Sequence, residues 1–436
     1  MAEVAPFRGG QAVHRCLETD GAPVLPSCAE DSPLTLSSQL FSPLFLEGDV
    51  PDLLRTCAES EGCQPCEDSP ALYLYEIVHV ASQGGEAHHK GLVALMRLED
   101  FRSGVVSSHQ RAHDGEVACR FRQLEQCPVQ TEAPLALYSD PCCVIEALAA
   151  AEKKRPADVE ITLSPRECCR IWRVSSTSFV ERVQGVLDRK ALLLIEGQAA
   201  YLAALRYRDH MRELTPDFSG KESFNYAMVA LSNQEDLSLR LFAGQRLLDH
   251  RLIPPAQQDA GLLLAGLGHF FDISALADGD CTGAGLSVPT GLEQSPDEIG
   301  ADWQLALCVG GKNSYALRFR DDEKPAFLRA DEPWSLVHCA PLLLERLVME
   351  QVLKLDPALL EDFQCVAVSP GAKGWLADGV ADQALVFFLR SPSLAVLRDL
   401  VHAGLTLPSR STFAYPVLPP GVLLHFLSSD ERVAAP

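Results

Sequence analysis

Apolar residues in the middle of the chain fall into short runs with the length and composition of β-strands. The runs ALYLYEIVHV and KGLVALMRL are separated by SQGGEAHH, which predicts a hairpin that turns at Gly84 and Gly85. Later runs of the same kind are APLALYSD, CRIWRVSS, ALLLI, FNYAMVALS and LSLRLFAG. Together they predict a β-sheet within residues 71–250.

Two segments between these strands have the periodicity of amphipathic helices. In SFVERVQGVLDR the apolar side chains share one helical face, and Ser178 and Glu181 have the spacing of a capping box. A second helix is predicted over residues 199–214. Helices interleaved with strands indicate an α+β fold, with a mixed β-sheet core and flanking helices.

Composition changes along the chain and predicts its domain organisation. Residues 18–70 are rich in Pro, Ser, Cys and acidic residues, so loops are expected there. Residues 279–302 have a similar character with added Gly and are predicted to link a core domain, residues 1–278, to a smaller C-terminal α/β unit, residues 303–436. That unit contains strand-like FQCVAVS and ALVFFLR and helix-like PLLLERLVMEQVLKL and SPSLAVLRDLVHAG, the last with Ser391 as its predicted N-cap.

Charge and hydropathy exclude several classes of partner. The chain has 37 basic and 59 acidic residues, a net charge of −22, which repels nucleic acid and anionic lipid. No apolar run approaches the roughly 18 residues that span a bilayer, and the N-terminus has no apolar signal core. We therefore predict a cytoplasmic protein with no nucleic-acid or membrane partner and with its 15 cysteines mostly reduced.

The cysteines make no complete metal or redox motif. Cys63 and Cys66 form one C-x-x-C in a polar loop, whereas a structural zinc site needs a second pair and a thioredoxin-like motif needs a strand-to-helix junction. Surface cysteines are the preferred interpretation. Two adjacent pairs are interpreted as small apolar side chains rather than ligands: Cys142–Cys143 and Cys168–Cys169.

The histidines and the common catalytic signatures are equally uninformative. His109 and His113 have the spacing of metal ligands on one helical face, but no third ligand is near them in sequence, so no metal site is predicted. The sequence contains neither G-x-x-x-x-G-K-[ST], nor G-x-G-x-x-G, nor G-x-S-x-G.

One stretch has the layout of a phosphate site without its charges. In LLIEGQAAYLAAL an apolar strand is followed by Gly197 and a helix, and the first turn of a helix offers unpaired N–H groups to an anion. The next residues are Gln198, Ala199 and Ala200, which carry no charge and are expected in an exposed first turn. Two interpretations remain open: a phosphate cradle that has lost its cations, or a turn that serves packing alone.

The order of several segments resembles the domain of unknown function 1015 family of bacteria and archaea. The segments are APFRG, PALYLYE, KGLVALMRLEDFRSGVVSSHQ, CRFRQLEQCPVQTEAPLALYSD, LLIEGQAAYLAALRYRD and HAGLTLPSRSTFAYPVLPPGVL. Members of this family resemble ATP-dependent free L-serine kinases, and their strand-Gly-helix element is similar to the phosphate-binding turn of the ParB and sulfiredoxin superfamily. The resemblance implies ATP and Mg²⁺ as ligands.

The chain departs from the family pattern mainly at charged positions. Where the family has Asp-Gly-His-His-Arg-Tyr, this chain has EGQAAY at residues 196–201, and where it has His-Glu-x-Thr, this chain has HQRA at residues 109–112. The family's His-Arg is QR at residues 245–246, and its Pro-x-Lys-Ser-Thr is PSRST at residues 408–412. Val417 stands in place of a further lysine.

Two classes of function follow from these departures. The first is a catalytically impaired relative of the serine kinases that acts as a binding or regulatory protein, with weak or absent ATP binding and a small molecule or protein as partner. The second is an active phosphotransferase for a small hydroxy amino acid with altered active-site residues. In the second, Glu196 and His109 are the catalytic candidates, and the nucleotide-binding candidates are Gly197, Arg120, Arg246 and Arg410.

Overall fold

The computed structural model describes ten segments of the chain: residues 2–6, 70–80, 85–188, 190–236, 238–276, 303–310, 313–323, 327–362, 366–369 and 384–433. Several predictions fall outside these segments. They are the loops expected over most of residues 18–70, the C-x-x-C of Cys63 and Cys66, and the linker predicted at residues 279–302.

The described residues form many strands, which range from 2 to 12 residues in length. In chain order they are β1 Val4–Ala5, β2 Leu72–Val80, β3 Glu86–Arg97, β4 Val106–Ser108, β5 Val129–Gln130, β6 Leu135–Tyr138, β7 Val159–Ser164, β8 Glu167–Val174, β9 Leu192–Glu196, β10 Tyr226–Asn233, β11 Arg240–Ala243, β12 Gln245–Asp249, β13 Phe271–Ala275, β14 Leu305–Val309, β15 Asn313–Phe319, β16 Val366–Ser369, β17 Ala384–Leu389, β18 Thr412–Tyr415 and β19 His425–Phe426.

Helices lie between these strands. The α-helices are α1 Asp114–Gln126, α2 Val144–Glu152, α3 Thr177–Leu187, α4 Gln198–Leu214, α5 Pro255–Gln258, α6 Ala260–Leu267, α7 Ala340–Leu343, which continues as a π-helix over Leu344–Leu353, and α8 Leu394–His402. Short 3₁₀ turns are Phe101–Ser103, Ser223–Asn225, His250–Leu252, Asp321–Glu323, Trp334–His338 and Pro357–Glu361. No helix in the described segments is long and apolar enough to cross a membrane.

A large mixed sheet positions the candidate site. Its strand order is β4-β9-β6-β10-β3-β2-β8-β7, with β1 paired to β3. The β2–β3 pair is antiparallel, which confirms the predicted hairpin, although Gly84 itself lies outside the described residues. The pairing of β10 with β6 is parallel, as is that of β4 with β9. The mixed pairing and the flanking helices confirm the predicted α+β class.

The two faces of this sheet are covered differently. On one face, Leu74 and Trp172 pack with Val183 of α3 and Tyr201 of α4. On the other face, the alternate residues of the same strands, such as Tyr73, share a core with the second sheet and with the π-helix. This alternation follows from the two-residue period of a strand, and both faces are buried because both are covered.

The second sheet has the order β13-β15-β14-β17-β12-β16 and is antiparallel where its pairs are described. Strands β12 and β13 precede residues 279–302, whereas β14 to β17 follow them. Segments from both sides of the predicted linker therefore share one sheet. The division of the chain into two domains at residues 279–302 stays a prediction.

Three local predictions are wrong. The N-cap residue of α3 is Ser176, and Ser178 lies inside the helix. In α8 the cap is Ser393, whose hydroxyl accepts from the Val396 N–H, rather than Ser391. The interpretation of one cysteine pair as small apolar side chains fails, because this pair is exposed in the turn before α2: Cys142 and Cys143.

Candidate functional site

Gly197 lies where the sequence predicts it, at the turn between β9 and α4. Its φ of +81° is left-handed, a region that L-residues with a side chain rarely adopt. A Cβ at this position would lie 2.8 Å from the Pro134 Cα atom. Both the backbone angle and the close approach of Pro134 require glycine here. We call residues 196–201 the turn segment.

The first residues of α4 face the protein interior. Gln198 and Ala199 are buried, and Ala200 is half-buried, which corrects the expectation of an exposed first turn. The Gln198 amide donates to the Leu194 carbonyl at 3.4 Å and accepts from the Gln110 amide at 3.3 Å. Both polar groups of the Gln198 side chain therefore make hydrogen bonds inside the protein.

Glu196 is the last residue of β9, two positions before α4 begins. Its Oε2 accepts from the Ala414 N–H at 3.0 Å. Burial is the main cause that raises its pKa to about 7; the negative charges of Glu132 and Glu116 act in the same direction, and the N–H groups of Ala414 and Gly197 oppose the shift. Glu196 therefore joins the end of β9 to β18, at a position where the family pattern also has an acidic residue.

His109 is a buried, neutral residue with both ring nitrogens engaged. Its Nδ1 lies 3.3 Å from the Leu194 carbonyl oxygen and its Nε2 lies 2.6 Å from the Thr412 hydroxyl. The carbonyl can only accept, so Nδ1 carries the proton and Nε2 accepts from Thr412. Burial lowers the pKa of His109 to about 4. His113 is the N-cap residue of α1, so the two histidines do not share a helix.

Gln110 joins the turn segment to the C-terminal part of the chain. Its side-chain oxygen accepts from the Thr412 N–H at 3.0 Å, and its amide donates to the Thr412 carbonyl at 3.3 Å. A bridge to Leu407 extends this pairing along the backbone. The family pattern has Glu at this position. In this chain the Gln110 amide makes hydrogen bonds to both the N–H and the carbonyl of Thr412, the first residue of β18.

The predicted phosphate-binding arginines are bound to protein acceptors. Arg120 makes a short ion pair with Glu132, and Arg410 makes one with Glu116. Arg246 is fully buried, and the energetic cost of burying its charge lowers its pKa. It donates to three carbonyl oxygens, at 3.3, 3.1 and 3.0 Å: those of Gly244, Arg410 and Ser409.

A small cavity lies beside the turn segment. It has a volume of about 80 Å³ and is bounded by α1, α4 and β5. Its lining residues are Arg120, Gln123, Leu124, Cys127, Val129, Gln130, Thr131, Glu132, Ala200 and Ala203. Arg120 and Glu132 thus lie at this cavity, whereas Arg410 lies in the loop of residues 408–412 and Arg246, a residue of β12, donates to that loop.

The residues around the turn do not fit ATP and Mg²⁺. A polyphosphate needs cationic donors that are available to it, but the carboxylates of Glu116, Glu132 and Glu196 surround the turn and two of them hold arginines. Within the segments the structure describes, no three His, Cys, Asp or Glu side chains are placed to hold a metal ion.

Sequence reasoning missed the acidic partners. Glu132 lies 12 residues from Arg120, and Glu116 lies 294 residues from Arg410. Neither separation corresponds to a helical or cross-strand neighbour in one element, so no local pattern marks these pairs. A nearby surplus of acidic residues was the available signal, and it does not specify which arginine each carboxylate would meet.

The sequence is similar to one described protein family. The sequence matches the family described as "Protein of unknown function (DUF1015)" over residues 60–343. No curated protein matches the sequence.

Several solved structures are similar over most of the chain. Free serine kinase in complex with AMP has 9% identity and a TM-score of 0.35, covering 75% of this chain and 89% of that one. SbnI with a C-terminal truncation, from Staphylococcus aureus, has 10% and 0.32, covering 74% and 82%. A conserved hypothetical protein from Pyrococcus furiosus has 10% and 0.32, covering 72% and 90%.

Identities and TM-scores of this size carry no functional assignment. The family match is different in kind, because it extends over more than half of the chain. On that match, the chain belongs to the family described as "Protein of unknown function (DUF1015)".

Proposed function

We propose that this chain is a non-catalytic member of its family that acts as a binding protein, whose turn segment no longer holds the phosphates of ATP. The observation that carries the proposal is that two of the predicted phosphate-binding arginines, Arg120 and Arg410, are paired with carboxylates of the protein itself. A phosphate group at the turn would find these guanidinium groups already bound, and the residues that follow Gly197 bring no charge to it.

The energetic argument has two parts. A hydrogen bond to a charged group contributes about 1.5 to 3 kcal/mol, so losing two imidazoles and one guanidinium from a phosphate cradle costs roughly 5 kcal/mol, or several thousandfold in a binding constant. The nearby arginines do not offset this loss, because Arg120 and Arg410 are paired with carboxylates. Separating such a pair to bind phosphate would cost further free energy.

One observation favours the second class of function. Burial raises the pKa of Glu196 to about 7, and a general base works best when its pKa is near the working pH. An altered phosphotransferase could use this carboxylate to accept a proton from a substrate hydroxyl. Against it, His109 has both ring nitrogens bonded inside the fold, so the other catalytic candidate has no nitrogen left for a substrate.

The two functions separate in one experiment on the full chain. Mg-ATP is titrated by calorimetry, and ADP release is measured with Mg-ATP and a panel of amino acids that includes L-serine. We expect no heat of binding in the micromolar range and no ADP above the rate of a protein-free control. A low-micromolar dissociation constant, or amino-acid-dependent ADP release, would establish the phosphotransferase and overturn the proposal.

A gain of binding provides the positive control. Ala200 is half-buried at the first turn, so Ala200→Arg adds a guanidinium beside the helix N-terminus, and Ala200→Gln adds a neutral chain there. Inorganic phosphate should bind the arginine variant more tightly than either the parent or the glutamine variant, and salt should weaken that binding. Equal affinity in all three would mean that the turn serves packing alone.

A further inference from the structure

The turn before α2 carries two adjacent thiols that the proposed function does not use. Cys142 and Cys143 are both exposed and free. The Cys143 N–H donates to the Asp140 carbonyl at 3.0 Å, which closes a turn over residues 140–143, and Cys143 has a left-handed φ of +51°. Two solvent-accessible thiols therefore lie at neighbouring positions of one tight turn.

Asn233 holds this turn in place. Its amide oxygen accepts from the Asp140 N–H at 3.0 Å, and its amide nitrogen donates to the Asp140 carbonyl at 2.8 Å. The same nitrogen lies 3.9 Å from the Cys143 Sγ. The Asp140 carboxylate in turn accepts from the Val144 N–H at 2.8 Å. Because Asn233 is only 3% exposed, the backbone that carries both thiols is anchored to the protein interior.

The charges that act most strongly on the Cys143 thiol are negative. They are those of Glu146, Asp140 and Glu235, in decreasing order. Oε2 of Glu146 is buried and has no hydrogen-bond partner. Lys153, at the C-terminal end of α2, offsets one of these charges at most, so the turn attracts cations. Loss of hydration at the turn and the three carboxylates raise the pKa of Cys143, so the free thiol is protonated at neutral pH.

A disulfide between the two cysteines is disfavoured by geometry. The Cα atoms of adjacent residues are about 3.8 Å apart, whereas disulfides usually join Cα atoms about 4.4 to 6.8 Å apart, and links outside that range are strained and more easily reduced. A metal ion between the sulfurs replaces an S–S bond of about 2 Å with two metal–sulfur bonds of about 2.3 Å or more. The larger ring lets the side chains diverge, so adjacent thiolates suit a shared metal ion better than a disulfide.

We infer that Cys142 and Cys143 together bind one soft, thiophilic metal cation, of the class that includes Cu⁺ and Cd²⁺. Two metal–sulfur bonds form and two S–H bonds break, each thiol releases its proton to the solvent, and no oxidation state changes. Thiolates select soft cations over hard ones such as Mg²⁺. Among the described residues, no three His, Cys, Asp or Glu side chains are placed to hold a metal ion, so water completes the coordination of the two thiolates.

The second adjacent pair, Cys168 and Cys169, is an internal control. Both residues lie on strand β8, where successive side chains point to opposite faces of the sheet. Cys169 is fully buried and Cys168 is half-buried. The same two residue types in sequence therefore cannot share one ion on this strand, because the sheet separates their sulfurs.

Cd²⁺ is the probe, and protection of each thiol from alkylation is the readout. The full chain, kept reduced with a reagent that contains no thiol, receives a short pulse of iodoacetamide at increasing Cd²⁺ concentrations. Mass spectrometry of the peptides reports Cys142 and Cys143 separately from the other cysteines. We expect both to become protected with one midpoint, and Mg²⁺ at the same concentrations to protect neither. No protection by Cd²⁺, or equal protection by Mg²⁺, would overturn the inference.

Serine substitutions test whether one ion is shared. In Cys142→Ser the remaining thiol should need at least about tenfold more Cd²⁺ for the same protection, because the second ligand is no longer held beside the first. Cys143→Ser should have the same effect on Cys142, and it provides the test if the first variant fails to fold. Cys168→Ser should change neither midpoint. If each thiol keeps the parent midpoint when the other is replaced, the shared site is refuted.

A further pair of variants tests the contribution of charge. Glu146→Gln removes the carboxylate that acts most strongly on Cys143, so its Cd²⁺ midpoint should rise about threefold or more. Glu152→Gln, at the last residue of the same helix, is the matched control and should shift the midpoint less. Equal midpoints in these two variants would contradict selection of a cation by the turn, and with it the inference. None of these results depends on ATP, so failure here leaves the proposed function standing.

Discussion

The turn segment and the loop of residues 408–412 each retain part of the family pattern. The turn segment retains its backbone conformation, whereas the loop retains its side chains. The turn segment keeps its backbone, with Gly197 at a φ of +81°, and has lost the two imidazoles and the guanidinium of the family pattern. The loop keeps polar and basic side chains, including Arg410, Ser411 and Thr412. If retained polar residues marked a ligand site, the loop would be the better candidate.

The contacts of the loop argue otherwise. Ser411 donates to the Pro408 carbonyl at 2.7 Å, and the Ser409 N–H donates to Glu361 at 2.9 Å. The buried guanidinium of Arg246 donates hydrogen bonds to the carbonyl oxygens of Ser409 and Arg410. These polar groups satisfy one another, so their retention is explained by the fold. Identity of a residue type is weak evidence for a site until its hydrogen-bond partners are known.

The largest expected effect therefore lies in the loop. Arg246→Met removes one guanidinium and leaves up to three buried carbonyls without their donor, and each costs about 1 to 3 kcal/mol, so we expect a loss of about 4 kcal/mol in the free energy of unfolding. Urea denaturation followed by circular dichroism measures it.

The matched control for this change is Arg251→Met. Arg251 carries the same charge five positions along, but 88% of its side chain is exposed and it pairs with Asp249. We expect it to change stability by less than about 0.5 kcal/mol. If the two variants were equally stable, Arg246 would not support the loop, and its availability for a ligand would have to be reconsidered.

The next largest effect tests the turn segment. Gly197→Ala forces a left-handed residue and places a Cβ 2.8 Å from the Pro134 Cα. Backbone strain of about 1 to 2 kcal/mol and overpacking of about 1 to 3 kcal/mol predict a loss near 3 kcal/mol in the free energy of unfolding. Thermal and denaturant unfolding should agree on this loss.

A substitution at Gly104 distinguishes backbone strain from overpacking. Its φ of +71° is nearly the same, but a Cβ there would meet nothing within 4 Å. Gly104→Ala should therefore cost about 1 kcal/mol, from backbone strain alone. A Gly197 variant no worse than the Gly104 variant would show that Pro134 yields, and that the turn could open to admit a larger group.

The periodicity of the sequence predicted the features that depend on neighbouring residues, namely strands and a turn. The strands that form β2, β3, β6, β9 and β10 were recognised as apolar runs, and the turn glycine was placed correctly. Helix α1 was not predicted, because its only buried residues are Phe121 and Leu124 and a mostly polar segment gives little amphipathic signal.

The candidate site was predicted less well because its determinants are long-range. The pattern of residues identified Glu196, His109 and the arginines, but not that each would find a partner within the fold. His109 meets Thr412 across 303 positions, a contact that no local rule predicts. Whether a polar residue faces a ligand or the protein depends on such contacts, so the sequence left both functions open.

A smaller effect should appear as a change in pH dependence. Burial raises the pKa of Glu196 from 4.5 to about 7, so between these values the folded state holds a proton that the unfolded state has lost. The free energy of unfolding therefore falls as pH rises through this window, by about 2 kcal/mol once the partial exposure of the side chain is allowed for. Above pH 7 the loss is complete.

Glu196→Gln should remove this fall. The variant carries no charge at any pH, so its stability relative to the parent should rise between pH 4.5 and 7 and then level off. Urea midpoints measured at half-unit steps give the difference curve. Glu181→Gln, at an exposed position of α3, serves as the control and should follow the parent. A flat difference curve for Glu196→Gln would mean that Glu196 is ionised without penalty, and that the turn has cationic support after all.

The smallest effect tests the hydroxyl that joins the loop to His109. The Thr412 hydroxyl donates to His109 Nε2 at 2.6 Å, and the Thr412 backbone is clamped by Gln110. Thr412→Val keeps the shape and the backbone bonds but leaves the buried imidazole nitrogen without its donor, so the free energy of unfolding should fall by about 1 kcal/mol. Thr412→Ser keeps the donor and should lose less than half of that amount.

Equilibrium denaturation of both variants at pH 7.5, where His109 is neutral by its pKa of about 4, gives the comparison. Greater loss in the serine variant than in the valine variant would mean that Thr412 contributes through its methyl packing, and that its hydroxyl is available to a partner other than His109.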